Sequence, residues 1–373
     1  MTSPGLYVHV PLCMSKCGYC SFYSIAAPHL IDGFVKALIG EMALYTDAFD
    51  SFDTVYFGGG TPSLLHPASI EKILDAARRT FVIDRQAEIT LEANPGDVSS
   101  EYFHFLRSMG INRLNIGVQS FDDGILKFLG RRHTAKEALS AVDEARRAGF
   151  ENIGIDLIYG IRGQDISHWR QTLKTAVSIN PEHLSCYQLS LAPQTPLYTH
   201  YQREGFNLPS EDEALAFFTV TSQALADSGY CHYEVSNFAR SLSFRSRHNM
   251  KYWRHVSYLG LGPAAHSFSA GRRWWNKEDA HGYIADIASS RPVVSHSEEL
   301  TAQQLALEAL FLGLRTREGI DPAQYKTSYG IDLLAEKAKA IDELIKNKLL
   351  KIKDGRLCPT TAGMAVADSL ALI

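Results

Sequence analysis

The chain has 373 residues, enough to bury a large core and to form one large domain with a smaller one beside it. Its 45% hydrophobic and 21% charged residues are typical of a globular protein and exclude a disordered or collagen-like chain. The formal net charge of −4 gives no overall attraction to nucleic acid, and no apolar run approaches the ~20 residues that cross a bilayer.

The first chemical feature is a loop of three cysteines, which follows the apolar run 6–10, a predicted strand. Cys13, Cys17 and Cys20 are separated by three and two residues, so one loop can wrap its thiolates around a compact cluster. Thiolates suit iron–sulfur clusters, and a 4Fe–4S cluster normally takes four of them. Three cysteines therefore leave one iron open to a substrate or cofactor.

Zinc, disulfides and inert core cysteines are the alternatives for this loop. Zinc usually needs a second pair of ligands further along the chain, and none follows here. Disulfides need an oxidising compartment, whereas residues 1–5 lack the basic and apolar regions of a signal peptide and predict the cytoplasm. Cys186, Cys231 and Cys358 stand alone, and each is expected to be a small buried hydrophobe.

The loop spacing, with Tyr19 before the third cysteine and Phe22 after it, resembles the radical S-adenosylmethionine (SAM) family. In that family the amine and carboxylate of SAM occupy the open iron of a 4Fe–4S cluster. The resemblance covers almost the whole chain and implies a partial (β/α)6 barrel.

Between residue 6 and about residue 190, short β-rich runs alternate with helical patterns, which predicts a parallel sheet in a barrel or a doubly wound fold. The predicted strands are Leu6–Val10, Thr54–Phe57, Glu88–Glu92, Arg113–Val118, Asn152–Ile158 and His183–Leu189. The helical patterns include Ile31–Tyr45, Ile70–Thr80, Ser100–Met109 and Ala135–Ala148. Because active sites of such sheets lie at the carboxyl ends of the strands, we expect chemistry at each strand end.

Two of these strand ends carry residues that suit a SAM site. The second strand leads into Gly59, Gly60 and Thr61, where the backbone can approach the ammonium or carboxylate of SAM. Taken alone, the glycines could equally form a tight turn. The third strand ends at Glu92, whose carboxylate could accept hydrogen bonds from ribose hydroxyls or bind a neighbouring helix or turn instead.

The next three strand ends carry Gln119, Asp156 and Ser190, with Arg131 on the element after the fourth strand. Asp156 lies within an apolar strand, where a carboxylate is costly to bury without a partner. Either a ligand or a buried Asp156–Arg131 pair explains it. The following stretch Leu191–Tyr198 is predicted to form a lip over the barrel.

After a helical pattern at 211–229, the chain becomes cationic and aromatic. The window 240–255 contains five Lys or Arg residues and no acid. A cationic run is usually a solvated face, but this one is interleaved with histidine, tyrosine and tryptophan. It suits a planar ligand bearing carboxylates, with a histidine as axial metal ligand, or single-stranded nucleic acid.

The last part of the chain is rich in Ala, Leu, Glu and Lys. From residue 344 to residue 363 the pattern predicts helix, short hairpin and helix, similar to a small winged-helix-like module. Lys and Arg do not dominate one helix, so we expect packing against the barrel, as a lid or dimer element, rather than DNA binding.

Together these segments resemble the oxygen-independent coproporphyrinogen III oxidase superfamily. Two features depart from the oxidase: Ser21-Phe22 follows Cys20 where the oxidase has a fourth cysteine, and no long extension precedes Cys13. His248-Asn249 and Tyr252-Trp253 instead match the HNxxYW signature of the HemW-type haem chaperone branch.

The resemblance implies roles for the matching residues. A 4Fe–4S cluster would be held by Cys13, Cys17 and Cys20. The SAM site would be lined by Tyr7, Tyr19, Gly59, Gly60, Thr61 and Glu92. Positions that contact a second SAM in the oxidase correspond to Gln119, Arg131, Asp156 and Ser190. The haem-binding residues would be His248 with Asn249, Tyr252 and Trp253.

The implied organisation is a radical SAM core barrel at 1–230, a barrel extension with the HNxxYW segment at 231–296, and a helical module at 297–373. The implied partners are haem or porphyrin and haem-accepting respiratory proteins, with a homodimer and peripheral membrane contact as further expectations. No nucleic-acid partner and no transmembrane segment are expected.

Two function classes follow from the resemblance. A carrier would use the cluster and SAM to support haem binding or release. An oxidase would cleave SAM to a radical that removes hydrogen from propionate side chains, which then lose carbon dioxide. The missing fourth cysteine and extension favour the carrier. Another radical SAM activity, such as RNA modification, is weakened because no RNA-binding domain is visible in the sequence.

Overall fold

Six strand–helix units form the centre of the fold, and the computed structural model describes residues 3–372. The strands are β1 Gly5–Val10, β2 Ser51–Gly59, β3 Val82–Ala93, β4 Arg113–Gln119, β5 Ile153–Tyr159 and β6 His183–Gln188. The helices are α1 Ile31–Met42, α2 Pro67–Thr80, α3 Ser100–Ser108, α4 Asp123–Leu129, α5 Ala135–Arg147 and α6 Ile166–Ser178. The six strands are parallel and follow chain order. This order confirms the predicted partial barrel over a doubly wound sheet, in which strand order reverses.

Local sequence explains why these helices form and pack. Helix α5 begins with a capping box, in which Thr134 and Glu137 satisfy each other's backbone N–H groups. Its buried residues recur at helical spacing, Ala138, Ala141, Val142 and Ala145, so one face packs on the sheet.

Side chains alternate between the two faces of each strand. The outward side chains are apolar and pack beneath the helices in the main core, as Leu6, Val8, Leu114 and Ile116 do. The inward side chains are mostly polar, aromatic or glycine, among them Tyr7, His9, Tyr56, Gly58, Glu88, Glu92, Asn115, Gly117, Asp156, His183 and Ser185. The barrel therefore has its hydrophobic core outside the sheet and a polar interior.

Short strands that the sequence did not predict extend the sheet at both edges. The elements that follow are α7 Pro196–Glu204, α8 Glu211–Asp227, β7 Cys231–Glu234, β8 Asn237–Ala239, α9 Arg247–Trp253, β9 Tyr258–Leu261, β10 His266–Ser269, β11 Arg272–Asn276, α10 Ala280–Ala288 and β12 Val294–Glu299. The resulting open sheet has the order β12-β11-β10-β9-β1-β2-β3-β4-β5-β6-β8-β7. Strand β9 is parallel to β1, and the strands beyond it alternate in direction.

The carboxyl-terminal part has its own small core, formed by residues between Ala306 and Ala371. Its elements are α11 Ala302–Gly313, α12 Pro322–Tyr329, α13 Leu333–Glu336, α14 Ala338–Lys346, β13 Leu350–Lys353, β14 Arg356–Pro359, α15 Thr361–Ala365 and α16 Ala367–Leu370. The predicted order of helix, hairpin and helix is confirmed. Backbone hydrogen bonds between Val235 and Arg315 and between Tyr233 and Arg317 join this module to β7.

The three domain boundaries proposed from sequence stay predictions, although the one at 296/297 falls inside β12. Within residues 3–372, no helix combines the length and the hydropathy needed to cross a membrane.

Candidate functional site

A cavity of about 430 Å³ lies at the carboxyl ends of the six parallel strands. The cysteine loop after β1, the glycine turn after β2 and inward side chains of the later strands form its wall. Of the residues predicted to contact the cluster or SAM, all but Tyr7 line it: Cys13, Cys17, Cys20, Tyr19, Gly59, Gly60, Thr61, Glu92, Gln119, Arg131, Asp156 and Ser190. The structure thus brings residues from six strand ends together, while their roles stay predictions.

The cysteine loop is fixed by hydrogen bonds. The N–H of Cys13 donates to the carbonyl of Ile25 at 3.0 Å, and the Thr61 hydroxyl donates to Cys13 Sγ at 3.3 Å. Arg131 Nη1 lies 3.6 Å from Cys17 Sγ. These contacts place a hydroxyl donor and a guanidinium beside two of the three sulfur atoms of the loop.

The alternatives for the cysteines can be tested on the same geometry. All six cysteines are free thiols. No three His, Cys, Asp or Glu side chains within residues 3–372 converge on a single-ion position, so a mononuclear zinc site has no ligand set there. Cys186 and Cys358 are buried as expected, but Cys231 is exposed. The expectation was wrong for Cys231 because it lies on β7, the outermost strand of one sheet edge.

The glycine turn packs directly against the cysteine loop. Gly59 has a φ of +109°, and a Cβ at that position would lie 2.7 Å from the His9 ring. A Cβ on Gly60 would lie 2.9 Å from the Leu12 carbonyl oxygen and 3.1 Å from Cys13 Sγ. Close backbone packing therefore requires these glycines, whether or not SAM also contacts them.

Glu92 is a buried carboxylate at the cavity wall. It accepts a hydrogen bond from the Tyr56 hydroxyl at 2.8 Å. Burial raises the pKa of Glu92 to about 7. Its side-chain partner is a strand residue rather than the helix or turn considered from sequence, and the carboxylate keeps acceptor capacity for ligand hydroxyls.

The Asp156–Arg131 pair considered from sequence does not form. Arg131 Nη2 instead donates to Asn94 Oδ1 at 2.6 Å and to the Gly117 carbonyl at 2.8 Å. Asp156 accepts from Asn115 Nδ2 at 2.6 Å, and burial raises the pKa of Asp156. The buried carboxylate therefore has one amide partner and no cation in contact.

The cavity wall contains more polar groups than its own side chains satisfy. Among the described residues that line it, the buried atoms without a hydrogen-bond partner are Ser24 Oγ, Arg113 Nε, Asn115 Oδ1, Arg131 Nε, Asp156 Oδ1 and His183 Nδ1. Each unsatisfied buried group costs roughly 1–3 kcal/mol. This excess favours a ligand rich in donors and acceptors, and SAM, with its amine, carboxylate, ribose and adenine, fits such a wall.

Strain occurs at the same place. Gln119, the last residue of β4, has a φ of +65° although it is not glycine, a conformation that costs about 1–3 kcal/mol. Two residues earlier, a Cβ at Gly117 would lie 3.0 Å from Gln119 Nε2, so a side chain there would displace the end of the Gln119 side chain. Such strain clusters at ligand sites.

The predicted lip and Tyr7 occupy different positions around the cavity. The N–H of Leu197, at the start of α7, donates to the Gly18 carbonyl at 2.8 Å, so the lip is attached to the cysteine loop. Tyr7 does not line the cavity. Its hydroxyl lies 3.1 Å from His9 Nδ1, and its ring packs beside Tyr56.

The HNxxYW residues lie at the other end of the barrel, on helix α9. The His248 ring is 1% exposed, and its nitrogens lie 2.9 Å from the hydroxyls of Thr54 and Tyr252. Burial lowers the pKa of His248 to about 3, which keeps the imidazole neutral. Of the four residues only Asn249 lines the cavity. Haem coordination by His248 stays a prediction, and it requires the hydrogen bond at the coordinating nitrogen to be broken.

Four of the five cations of the window 240–255 are already paired with acids, and the fifth, Arg240, lies over the Tyr230 ring. Arg245 and Arg254 contact Glu318, and Arg247 and Lys251 contact Asp53. The acids come from distant parts of the chain, so the acid-free window does not form a free cationic surface.

Sequence reasoning missed several polar residues of the barrel interior. Tyr56 holds Glu92, and Asn94, Arg113, Asn115 and His183 line the cavity. The signal that could have found them is period-2 alternation: Asn94 follows Glu92 by two positions, and Arg113, Asn115 and Gly117 alternate along β4.

Comparisons with known proteins agree with this fold. The radical SAM superfamily matches residues 7–176, and the HemN carboxyl-terminal domain matches residues 300–366. In fold, the chain is similar to coproporphyrinogen III oxidase (HemN) from Escherichia coli, a radical SAM enzyme, with a TM-score of 0.86, 24% identity and coverage of 100% of this chain and 90% of that one.

Curated relatives match over most of their length. Haem chaperone HemW of Lactococcus lactis is 33% identical, covering 98% of this chain and 95% of the relative. Haem chaperone HemW of Bacillus subtilis is 31% identical, covering 98% and 97%. The mitochondrial radical S-adenosyl methionine domain-containing protein 1 of Mus musculus is 33% identical, covering 100% and 87%. The chain belongs to the radical SAM superfamily, in the HemW branch of the HemN-like proteins.

Proposed function

We propose that this chain is a haem carrier, which holds a 4Fe–4S cluster and SAM in its barrel and hands haem to haem-requiring proteins. The observation that carries the proposal is full-length similarity, at 31–33% identity over 98% of the chain, to proteins named haem chaperone HemW.

In this proposal the cysteine loop holds the cluster, with Cys13, Cys17 and Cys20 as ligands to three irons. Such a cluster would leave one iron for the amine and carboxylate of SAM and, when reduced, would supply an electron to SAM. Two contacts support the assignment, because the Thr61 hydroxyl donates to Cys13 Sγ and the Arg131 guanidinium lies beside Cys17 Sγ, so each orients a sulfur of the loop.

SAM binds along the glycine turn and Glu92. The Glu92 carboxylate accepts from the ribose hydroxyls, while the Tyr56 hydroxyl fixes its orientation. Arg131, Gln119, Asp156 and Ser190 line the deeper and outer wall of the same cavity, and they contact the remaining polar groups of SAM or a second SAM molecule.

Through the family resemblance, the proposal also includes respiratory proteins as haem acceptors, the cytoplasm as compartment, a homodimer and peripheral membrane contact. They are tested only after haem binding itself.

The oxidase is the second candidate, and the unsatisfied polar wall around Asp156 favours it, because a second SAM or a carboxylated porphyrinogen could satisfy these groups. The absence of a cysteine at Ser21 and Phe22 opposes it.

The test begins with anaerobic iron–sulfur reconstitution of the full chain and a haem titration followed by the Soret band. We expect saturable haem binding, and loss of the cluster absorption in Cys17→Ala. The same protein, given SAM and a reductant, should leave coproporphyrinogen III unchanged. Formation of protoporphyrinogen would establish the oxidase instead, and an intact cluster spectrum in Cys17→Ala would remove the cluster assignment.

A further inference from the structure

We propose that haem binds across three rings on the extended part of the sheet: His266, Trp275 and His296, called here the His–Trp–His ladder. The iron takes one imidazole as axial ligand, and the porphyrin ring contacts the indole. This inference rests on the proposed function, because it gives a place to the haem that a carrier must hold.

The ladder is formed by directly paired residues on three neighbouring strands. His266 of β10 is opposite Trp275 of β11, and Trp275 is opposite His296 of β12. The ring centroids of His266 and Trp275 are 5.3 Å apart with an angle of 21° between planes. Trp275 and His296 are 4.8 Å apart with an angle of 52°. Both histidines are exposed and Trp275 is half-buried.

Ring spacing defines how the ladder faces solvent. Neighbouring strands lie about 4.8 Å apart, so the His266 and Trp275 rings, which are nearly parallel, stand on edge over the sheet. The His296 ring is tilted by 52° against the indole, and both imidazoles are exposed to solvent. A planar porphyrin lying across these edges would be roughly perpendicular to the imidazole, as axial coordination requires, and would contact Trp275 edge to face.

The ladder imidazoles are free to coordinate. Within residues 3–372 neither ring takes part in a hydrogen bond or an ion pair. Partial desolvation of the ring against the sheet and the charge of Arg273 lower the pKa of His266, which favours the neutral imidazole. The two histidines are separated by Trp275 and cannot share one small ion. A ligand that uses the whole ladder must therefore be wide and flat.

The ladder also lies on the side of the sheet that carries the cavity. Tyr7 of β1 pairs with Gly260 of β9, so both face the barrel interior. Tyr258, two residues earlier on β9, shares this face and pairs with Phe268 of β10.

Two residues before Phe268, His266 must face the same way. Because β10 runs antiparallel to β9, His266 lies at the end of the sheet where β1 leads into the cysteine loop. Haem on the ladder would lie beside the cysteine loop but on a separate surface. Its propionates would reach water past the edge strand β12.

Nearby charges argue against nucleic acid on this surface. Arg273 is held by Glu298 and Glu308, and Arg272 by Glu299. With its cations neutralised, the ladder offers aromatic edges and imidazole nitrogen rather than a phosphate-binding patch.

The experiment is a haem titration of the full-length reconstituted protein, read by Soret position and Kd. We expect the double variant His266→Ala/His296→Ala to shift the Soret band and to raise Kd at least about tenfold. Trp275→Ala should raise Kd but keep the wild-type Soret position, because the axial ligand remains. His168→Ala, which removes an imidazole 65% exposed on α6, is the matched control and should bind as wild type does.

Two results separate the inference from the proposed function. If wild type binds haem and the double variant matches it in both Kd and Soret position, the ladder is not the site, and the carrier function stands. Loss of binding in folded His248→Ala with an unaffected double variant also overturns the ladder, and it places haem at the HNxxYW segment. If wild type shows no saturable binding, the carrier function itself fails.

Discussion

At the scale of single residues, the barrel interior is a set of buried polar groups that support one another. Tyr56 holds Glu92, Asn115 holds Asp156, and Arg131 reaches from Asn94 to the sulfur of Cys17. Each group has its charge or orientation set by a neighbour from another strand or loop. Substitutions here should therefore change ligand affinity before they change the fold.

Glu92→Gln tests the SAM site. The variant keeps an oxygen that accepts from Tyr56 but loses the carboxylate, so we expect SAM to bind about tenfold more weakly with unchanged iron content. Glu88→Gln is the control, since Glu88 is a buried inward carboxylate on the same strand that does not line the cavity. Equal SAM affinity of Glu92→Gln and wild type, by equilibrium dialysis, would remove the ribose role.

Glu41 on α1 gives a pH dependence that is independent of the cavity. It accepts from the Gly262 N–H at 2.8 Å, from Tyr283 at 2.5 Å and from Asn276 at 2.6 Å. Burial raises the pKa of Glu41 from 4.5 to about 7. The unfolded chain therefore loses this proton first as pH rises. The stability it contributes, about 3 kcal/mol, is present below pH ~4.5 and is lost as pH rises through about 7.

Glu41→Gln should remove this dependence. We expect urea unfolding between about pH 5 and pH 7.5 to show a flatter free energy of unfolding for the variant than for wild type, even though the variant is less stable overall. An identical pH slope in both proteins would mean that Glu41 is ionised in the folded state.

At the scale of elements, function depends on the close approach of the glycine turn to the cysteine loop. It also depends on helix α9, which packs against the opposite end of the barrel. The glycine turn after β2 touches the cysteine loop without side chains between them. At the opposite end of the barrel, α9 places His248 beneath Tyr7 and Tyr56. The HNxxYW residues therefore pack against the end of the barrel opposite the cysteine loop. This packing gives the motif a structural role, whatever ligand it binds.

Gly60→Ala tests the turn. Its Cβ would meet the carbonyl oxygens of Leu12 and Val10 at 2.9 Å and displace the cysteine loop. We expect a folded protein, by circular dichroism, that incorporates well under half the wild-type iron. Gly18→Ala is the matched control, because Gly18 belongs to the cysteine loop and a Cβ there meets nothing within 4 Å. Similar iron content in Gly60→Ala and Gly18→Ala would contradict the packing account.

At the scale of the whole molecule, the sequence predicted the six central strands, the cysteine loop and the carboxyl-terminal module, because these carry strong local patterns. It did not predict β7–β12. These strands have three to six residues and are rich in Arg, His, Trp and Ser, so apolar alternation is absent. It also could not show that Asp53 and Glu318 pair the cations of the window 240–255, because those contacts join residues far apart in the chain.

The most direct test of the carrier function is haem transfer. The haem-loaded chain is mixed with the apo form of a haem-requiring respiratory protein, and the Soret change is followed at several acceptor concentrations. A carrier that hands over its cargo in a complex gives a rate that rises with acceptor concentration until the complex saturates. A rate that does not depend on acceptor concentration would mean that haem only dissociates into solution, and it would contradict the account.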